Sequence, residues 1–255
     1  MGNIFNLYLI QPIFNALIFI YNTLPWQDIG LATIILTFLI RLVFYPLFHK
    51  SSKQQILMNR IQPELQKIQK EYKDDKEKQV KAQMALYKKH KVNPFGGCLF
   101  AIIQLPIILA VYRVFLNGFG SDKLDTLYHF VTRPETINSI FLGLIDLSKP
   151  NIGLALITAY LQYISSKMIM PKKQPKQVEE DPKMKMASTL QKQMVFIAPV
   201  MTLVILIPLP SILALYWSAT TIFSIFQQWL IQKTIKVEDD SNKIIEQDGT
   251  NKTIN

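Results

Sequence analysis

The chain has 255 residues, 49% of them hydrophobic and only 18% charged, and 28 Lys+Arg against 18 Asp+Glu leave a formal charge of +10. The apolar residues are bunched into long blocks instead of being spread at core periodicity, which excludes an ordinary soluble globule. The single cysteine, Cys98, excludes an internal disulfide scaffold, and no HExxH, GxSxG, GxxxxGK[ST] or GxGxxG string points to a common enzyme or nucleotide site.

The first 28 residues contain no Lys or Arg, which argues against a signal peptide. Gln11, Asn15 and Asn22 share one face of a helical wheel and Pro12 interrupts the ladder, so residues 1–28 read as an interfacial amphipathic helix on the outer membrane surface, with a cleaved signal or a further span as the alternatives. A bilayer core takes roughly 20 apolar residues in a helix. By that length the chain offers five spans, at about 29–48, 95–115, 152–170, 191–208 and 211–231. Pro208-Leu209-Pro210 forces a tight break between the last two, because proline cannot continue the helical ladder.

Residues 50–92 carry 12 basic and 5 acidic residues, and 167–192 carry 7 and 3, whereas 117–150 carry 3 and 4. The positive-inside rule then puts the N-terminus outside and the C-terminus inside, and it accounts for the +10 without nucleic acid or ribosome contact, the sharper reading of that charge. Within 50–92, Ile61, Leu65, Ile68 and Tyr72 recur at helical spacing and the pattern resumes at Val80, Met84 and Tyr87. This predicts a cytoplasmic antiparallel helical hairpin, with the turn at Lys73-Asp74-Asp75-Lys76. Residues 171–190 read as a cytoplasmic loop. The tail, 234–255, reads as disordered: from Lys233 onward there are four lysines and five acidic residues, and few large apolar ones. The outer stretch 137–147 is too short to cross and reads as interfacial.

Polar residues recur every fourth position inside three of the spans. Thr33, Thr37, Arg41 and Tyr45 lie on the first, Thr158, Gln162 and Ser166 on the third, and Thr220, Ser224 and Gln228 on the fifth. A charge at this depth costs a few kcal/mol and is tolerated where it faces a bundle interior or a wet cavity, which makes Arg41 a candidate functional residue; the alternative is snorkelling to the headgroups past Phe48. No Asp or Glu falls within the five blocks, so the stripes either converge into a hydrated, positively charged groove or serve as interhelical glue. For Gln104, beside Pro106, glue is the better reading from the residues alone. A cationic groove suits a hydrophilic tail that must cross while its hydrophobic helix slides into lipid.

Several strings, taken in order, resemble the YidC/Oxa/Alb family of membrane protein insertases. They are Ile40-Arg41-Leu42-Val43-Phe44-Tyr45-Pro46-Leu47, Gln62-Pro63-Glu64-Leu65, Val92-Asn93-Pro94-Phe95-Gly96-Gly97-Cys98-Leu99 and Ile103-Gln104-Leu105-Pro106. Asp146-Leu147-Ser148, Leu213-Ala214-Leu215-Tyr216-Trp217 and Phe223-Ser224-Ile225-Phe226-Gln227-Gln228 complete them, from about Leu7 to Lys233. The resemblance implies an all-α polytopic protein of a bacterial inner or plasma membrane, with a five-span core at 29–233 and a hydrophilic groove. It implies insertion and folding of nascent membrane proteins, alone or with the Sec translocon, without metal, nucleotide or other cofactor and without enzymatic chemistry. It also implies groove roles for Arg41 and for Trp217, with Gln162 the best match on the third span; Thr37, Tyr45, Gln104, Thr220 and Ser224 join them as candidates. The large outer domain of longer members is missing, as in the shorter bacterial form, and no cysteine near the N-terminus offers a lipid anchor. The net-acidic tail is unlike the basic tail with which some members touch the ribosome, so ribosome docking would fall to the basic loops, and no specific nucleic-acid sequence is expected. A small-solute channel or transporter is the alternative class, although no internal duplication supports it.

Overall fold

The structure, a computed structural model, describes residues 2–93, 96–116, 126–170 and 182–252. Its elements are α1 (Gly2–Phe5), a π-helical turn (Asn6–Ile10), α2 (Gln11–Thr23), α3 (Ile29–Val43), α4 (Tyr45–Glu71), α5 (Lys76–Lys89), α6 (Gly96–Leu116), β1 (Ile140–Phe141), β2 (Ile145–Asp146), α7 (Ile152–Ile169), α8 (Pro182–Leu206) and α9 (Ser211–Lys252). The helices turn their large apolar side chains outward as well as inward. Ile35, Leu39 and Leu42 of α3, Leu105 and Leu109 of α6, Leu156 and Tyr160 of α7, Phe196, Val200 and Val204 of α8 and Phe226 of α9 are all exposed. Exposed apolar surface on this scale suits contact with lipid or with a partner. By length and apolarity together, among the described residues Ile152–Ile169 suffices to cross a membrane alone, and α3 with α4 passes as one bent pair. Gln104–Phe115 and Val195–Leu206 are shorter apolar stretches.

The expected first span, 29–48, is interrupted. Helix α3 ends at Val43, Phe44 sits at φ −92° and ψ 12°, and α4 leaves at 75° to α3. The cause is Pro46, which has no N–H to continue the ladder and crowds the turn before it, yet is well placed in the first turn of a new helix. The expected 50–92 hairpin therefore starts earlier, at Tyr45, and the i+4 stacking of Tyr45 on Arg41 is lost at the break.

Helix α4 runs on to Glu71, the chain turns through 72–75, and α5 comes back against it through Ile61, Leu65, Leu86 and Val92. Asp75 caps α5 by accepting from Lys78 N at 3.0 Å, and that bond holds its carboxyl below its ordinary range. At the other end Val92 N donates to Tyr87 O at 2.9 Å and Lys91 N to Lys88 O at 3.1 Å, with Lys91 at φ 52°. This is a Schellman closure whose left-handed residue is a lysine, and Val92 supplies its apolar contact.

Helix α2 is a core element: Phe14, Leu17, Ile18 and Tyr21 are buried in the main cluster. Its polar stripe is engaged by protein. Asn15 Oδ1 accepts from Tyr128 N at 2.6 Å, Gln11 Nε2 donates to Thr126 O at 3.0 Å, and Asn22 Nδ2 donates to Thr132 O at 2.6 Å. The irregularity expected at Pro12 is placed just before it, in the π-helical turn, where the missing N–H is accommodated.

The β1–β2 ribbon is antiparallel, pairs Phe141 with Ile145, and is the only strand pair among the described residues. It is pinned on α3 by Asp28, whose Oδ1 accepts from Gly30 N at 2.7 Å and Leu31 N at 3.1 Å while Oδ2 accepts from Leu142 N at 2.7 Å. Gly30 is required by this approach: a Cβ there would collide with the Phe141 ring and sit 2.9 Å from Leu147 Cδ1. Beyond the ribbon, Leu147 O and Lys149 O accept from Ile212 N at 3.1 Å and Ser211 N at 2.9 Å, satisfying first-turn donors of α9.

Helix α8 extends the expected 191–208 span backward to Pro182. Of the expected loop 171–190, residues 171–181 lie outside the described residues, as do Pro94 and Phe95 of the expected hairpin-to-span junction. The expected span at 211–231 and the expected disordered tail form one helix, α9, to Lys252. No proline follows Pro210 and the next glycine is Gly249, so nothing local stops a helix already nucleated inside the bundle.

Candidate functional site

Five helices enclose a cavity of about 230 Å³, room for several waters. Helix α3 supplies Arg41, α4 supplies Ser52 and Gln55, and α6 supplies Gln104 and Ile108. Helix α7 adds Gln162, Ser165, Ser166 and Ile169, and α9 adds Tyr216, Trp217, Thr220, Thr221, Ser224 and Gln228. The lining contains one cation and no carboxylate among the described residues, and α8 gives it nothing. From Trp217 to Gln228 the lining follows α9 for about 16 Å at 1.5 Å per residue.

Arg41 is 2% exposed. The 75° bend folds Phe48 back over it, with Cζ 4.3 Å from the ring centroid, so snorkelling past Phe48 does not occur. Its Nη2 donates to Gln104 Oε1 at 3.4 Å, and Gln104 Nε2 donates to Tyr216 OH at 3.3 Å. Gln104 thus both joins helices, as its residue-level reading says, and lines the cavity beside the guanidinium.

Of the residues expected in a groove, Arg41, Gln104, Gln162, Trp217, Thr220 and Ser224 come together here. Thr37 and Tyr45 do not. Thr37 Oγ1 donates to Thr33 O at 2.7 Å and faces a separate gap of about 10 Å³, while Tyr45 lies past the break and packs by Phe223 and His49, with centroids 6.5 and 5.5 Å away. Of the other stripe residues, Ser166 and Gln228 also line the cavity, while Thr158 joins helices. Thr158 is fully buried with its Oγ1 2.7 Å from Ser218 Oγ and 3.1 Å from Ala214 O, and Gln228 Nε2 donates to Ser165 Oγ at 3.1 Å. Ala155 and Ala214 let α7 and α9 approach at this crossing.

Sequence reasoning missed Ser52 and Gln55, which only the bend brings under the bundle, and Tyr216, which reads as a bulky core residue beside Trp217. The spacing of Ser52 and Gln55 from Tyr45, about two and three turns into a helix that cannot begin earlier, is the signal that could have found them.

Helices that face lipid on one side and a polar, cationic cavity on the other define a helical membrane protein that holds a hydrophilic site within its bundle. The family model described as 60Kd inner membrane protein matches residues 19–239. The chain is 33% identical over 221 residues to the membrane protein insertase YidC of Clostridium tetani (strain Massachusetts / E88), covering 87% of this chain and 89% of that protein. It is 32% identical over 224 residues to the YidC of Nitratidesulfovibrio vulgaris (strain DP4), covering 88% of this chain but 38% of that longer protein. A crystal structure of an active YidC insertase with its first transmembrane domain resolved aligns over 84% of this chain and 45% of its own, at TM-score 0.50 and 26% identity. The chain belongs to the 60Kd inner membrane protein family, that of the YidC insertases, and matches in length its Clostridium relative while spanning well under half of the longer one.

Proposed function

We infer that this chain is a membrane protein insertase whose clients are nascent membrane proteins, received in the Arg41 cavity. The observation that carries the reading is the cavity itself: water-sized space beside a buried guanidinium, walled by amides and hydroxyls and bordered by helices whose outer faces are apolar. Moving a client's polar tail across hydrocarbon costs several kcal/mol per uncompensated group, and a wet, polar recess shortens that path. A positive recess also favours acidic tails. The client's hydrophobic segment leaves along the apolar flanks, and no covalent bond is made or broken.

The reading places five spans in the bilayer, on α3, α6, α7, α8 and the first part of α9, with the N-terminus outside. The basic excess of 50–92 and 167–192 supports this orientation. So do two cation–aromatic pairs at one level of the bundle: Lys167 Nζ lies 5.7 Å from the Tyr163 centroid and Lys233 Nζ 5.6 Å from that of Trp229, with Gln232 Nε2 donating to Met168 O at 2.7 Å between the helices. The α4–α5 hairpin then projects into the cytoplasm, at the end where Ser52 and Gln55 border the cavity. Its basic face and the basic 172–192 segment are the proposed ribosome contacts, and the Sec translocon is the second expected partner. Charge reversal in both segments is expected to weaken co-sedimentation with ribosomes; unchanged co-sedimentation would remove that partner.

Photo-crosslinking tests the client path. A photoreactive residue at Ser224 or Trp217 should capture a stalled single-span client, and one at Val200 on the outer face of α8 should capture it far less before release. Equal capture at all three positions would contradict a cavity route.

A further inference from the structure

We propose that the tip of the β1–β2 ribbon is a lipid-contacting anchor, inserted at the bilayer interface beside the first end of α3. The segment Ile140-Phe141-Leu142-Gly143-Leu144-Ile145 contains no charged or polar side chain. Phe141 and Ile145 pack on the core, while Leu142 is 58% and Leu144 84% exposed. Leu142 and Gly143 stand at φ 50° and 73°, the conformation of a turn that Asn or Gly fills at little cost. A leucine in the left-handed region costs about 1 kcal/mol, and in water its exposed side chain recovers none of it. Burial of that side chain in acyl chains offsets the strain and gives the position a reason to be leucine.

Depth and direction agree. Helix α7 has 18 residues, about 27 Å, slightly less than a hydrocarbon core of about 30 Å. The ribbon lies just beyond the α7 start at Ile152, so it meets the bilayer at the acyl-chain boundary. The Leu142 N–H is bound by Asp28, the N-cap of α3, so the tip stands at the end of the helix that carries the exposed apolar residues Ile35, Leu39 and Leu42. Trp26, 75% exposed and two residues before Asp28, adds an aromatic of the type enriched at membrane interfaces. This inference needs membrane residence, which family membership supplies, and does not depend on the cavity reading.

The test uses full-length protein in lipid vesicles with Cys98→Ser and a single Leu144→Cys carrying an environment-sensitive fluorophore. Vesicles whose acyl chains are brominated quench from the lipid side, and iodide quenches from water. A fluorophore at Glu135→Cys, an exposed position of the adjoining loop, is the reference. Quenching by bromolipid about threefold stronger than at the reference, with iodide quenching reduced by a similar factor, is the expected result. Iodide quenching equal to the reference, or no bromolipid effect, overturns the proposal. A second variant, Leu142→Cys, gives the same readings two residues away and guards against a local effect of the label.

Discussion

Arg41 is held by groups from three other elements: the Phe48 face from α4, the Gln104 amide from α6 and, through that amide, the Tyr216 hydroxyl of α9. These three groups, a ring face, an amide and a hydroxyl, hold the guanidinium against the cavity wall. Replacing Phe48 with Leu keeps much of the volume and loses the ring, and should cut client insertion more than it lowers the melting temperature in detergent. A fall in melting temperature with insertion intact would make Phe48 merely structural. At the opposite end, Asp146 accepts from Ser148 Oγ at 2.6 Å and N at 3.0 Å and pairs with Lys149 Nζ at 3.0 Å, which holds its carboxyl well below the usual range. A carboxyl depressed in the folded state contributes stability above its unfolded pKa and loses it as pH falls through the folded value. Melting temperature of the wild type should thus decline on acidification below the ordinary carboxylate range more than that of Asp146→Asn; parallel declines would remove Asp146 from the acid limb. Gly30→Ala, which drives a methyl into Phe141 and Leu147, should cost about 1–3 kcal/mol of stability, read as a lower detergent melting temperature.

Among the elements, the hairpin and the break before it show what periodicity can and cannot give. Apolar spacing at Ile61, Leu65, Ile68 and Tyr87 marks two helices that pack on each other, and they do, but Val80 and Met84 of the expected seam are exposed and Leu86 takes the buried place on α5. Hydropathy alone ran the first span through Phe48, because Phe44, Leu47 and Phe48 are as apolar as the helix before them; the proline chemistry of Pro46 decides the matter instead. The α2 stripe was legible as polar but not as bonded, since its partners are backbone groups more than a hundred residues away. The length of α9 was hidden by composition, which scores burial and not helix propagation. Lys91, the left-handed residue that closes α5, is the place where this element can be improved: Lys91→Gly should relieve about 0.5–1 kcal/mol and slow hydrogen exchange of the α5 amides, and faster exchange would refute the Schellman closure as a stabilising feature.

Across the whole molecule, the site was legible where polar residues repeat every fourth position on a straight helix, as at Gln162 or at Thr220 and Ser224. It was hidden where membership depends on how helices cross. Thr158 and Gln228 belong to the same stripes yet bond Ser218 and Ser165 across the α7–α9 contact, and Ser52 and Gln55 reach the cavity only through a 75° turn. The polar cavity, the basic cytoplasmic end and the apolar flanks then make one account, in which a client's tail is received beside Arg41 as its helix passes into lipid. The most direct measurement is reconstitution of the purified protein into liposomes with a short single-span client and no other translocon, scored by protease protection of the client's tail. Wild type and Arg41→Lys should protect the tail well above empty liposomes, and Arg41→Ala should lose about tenfold. Equal protection by all three proteins would show that the buried charge has no part in insertion.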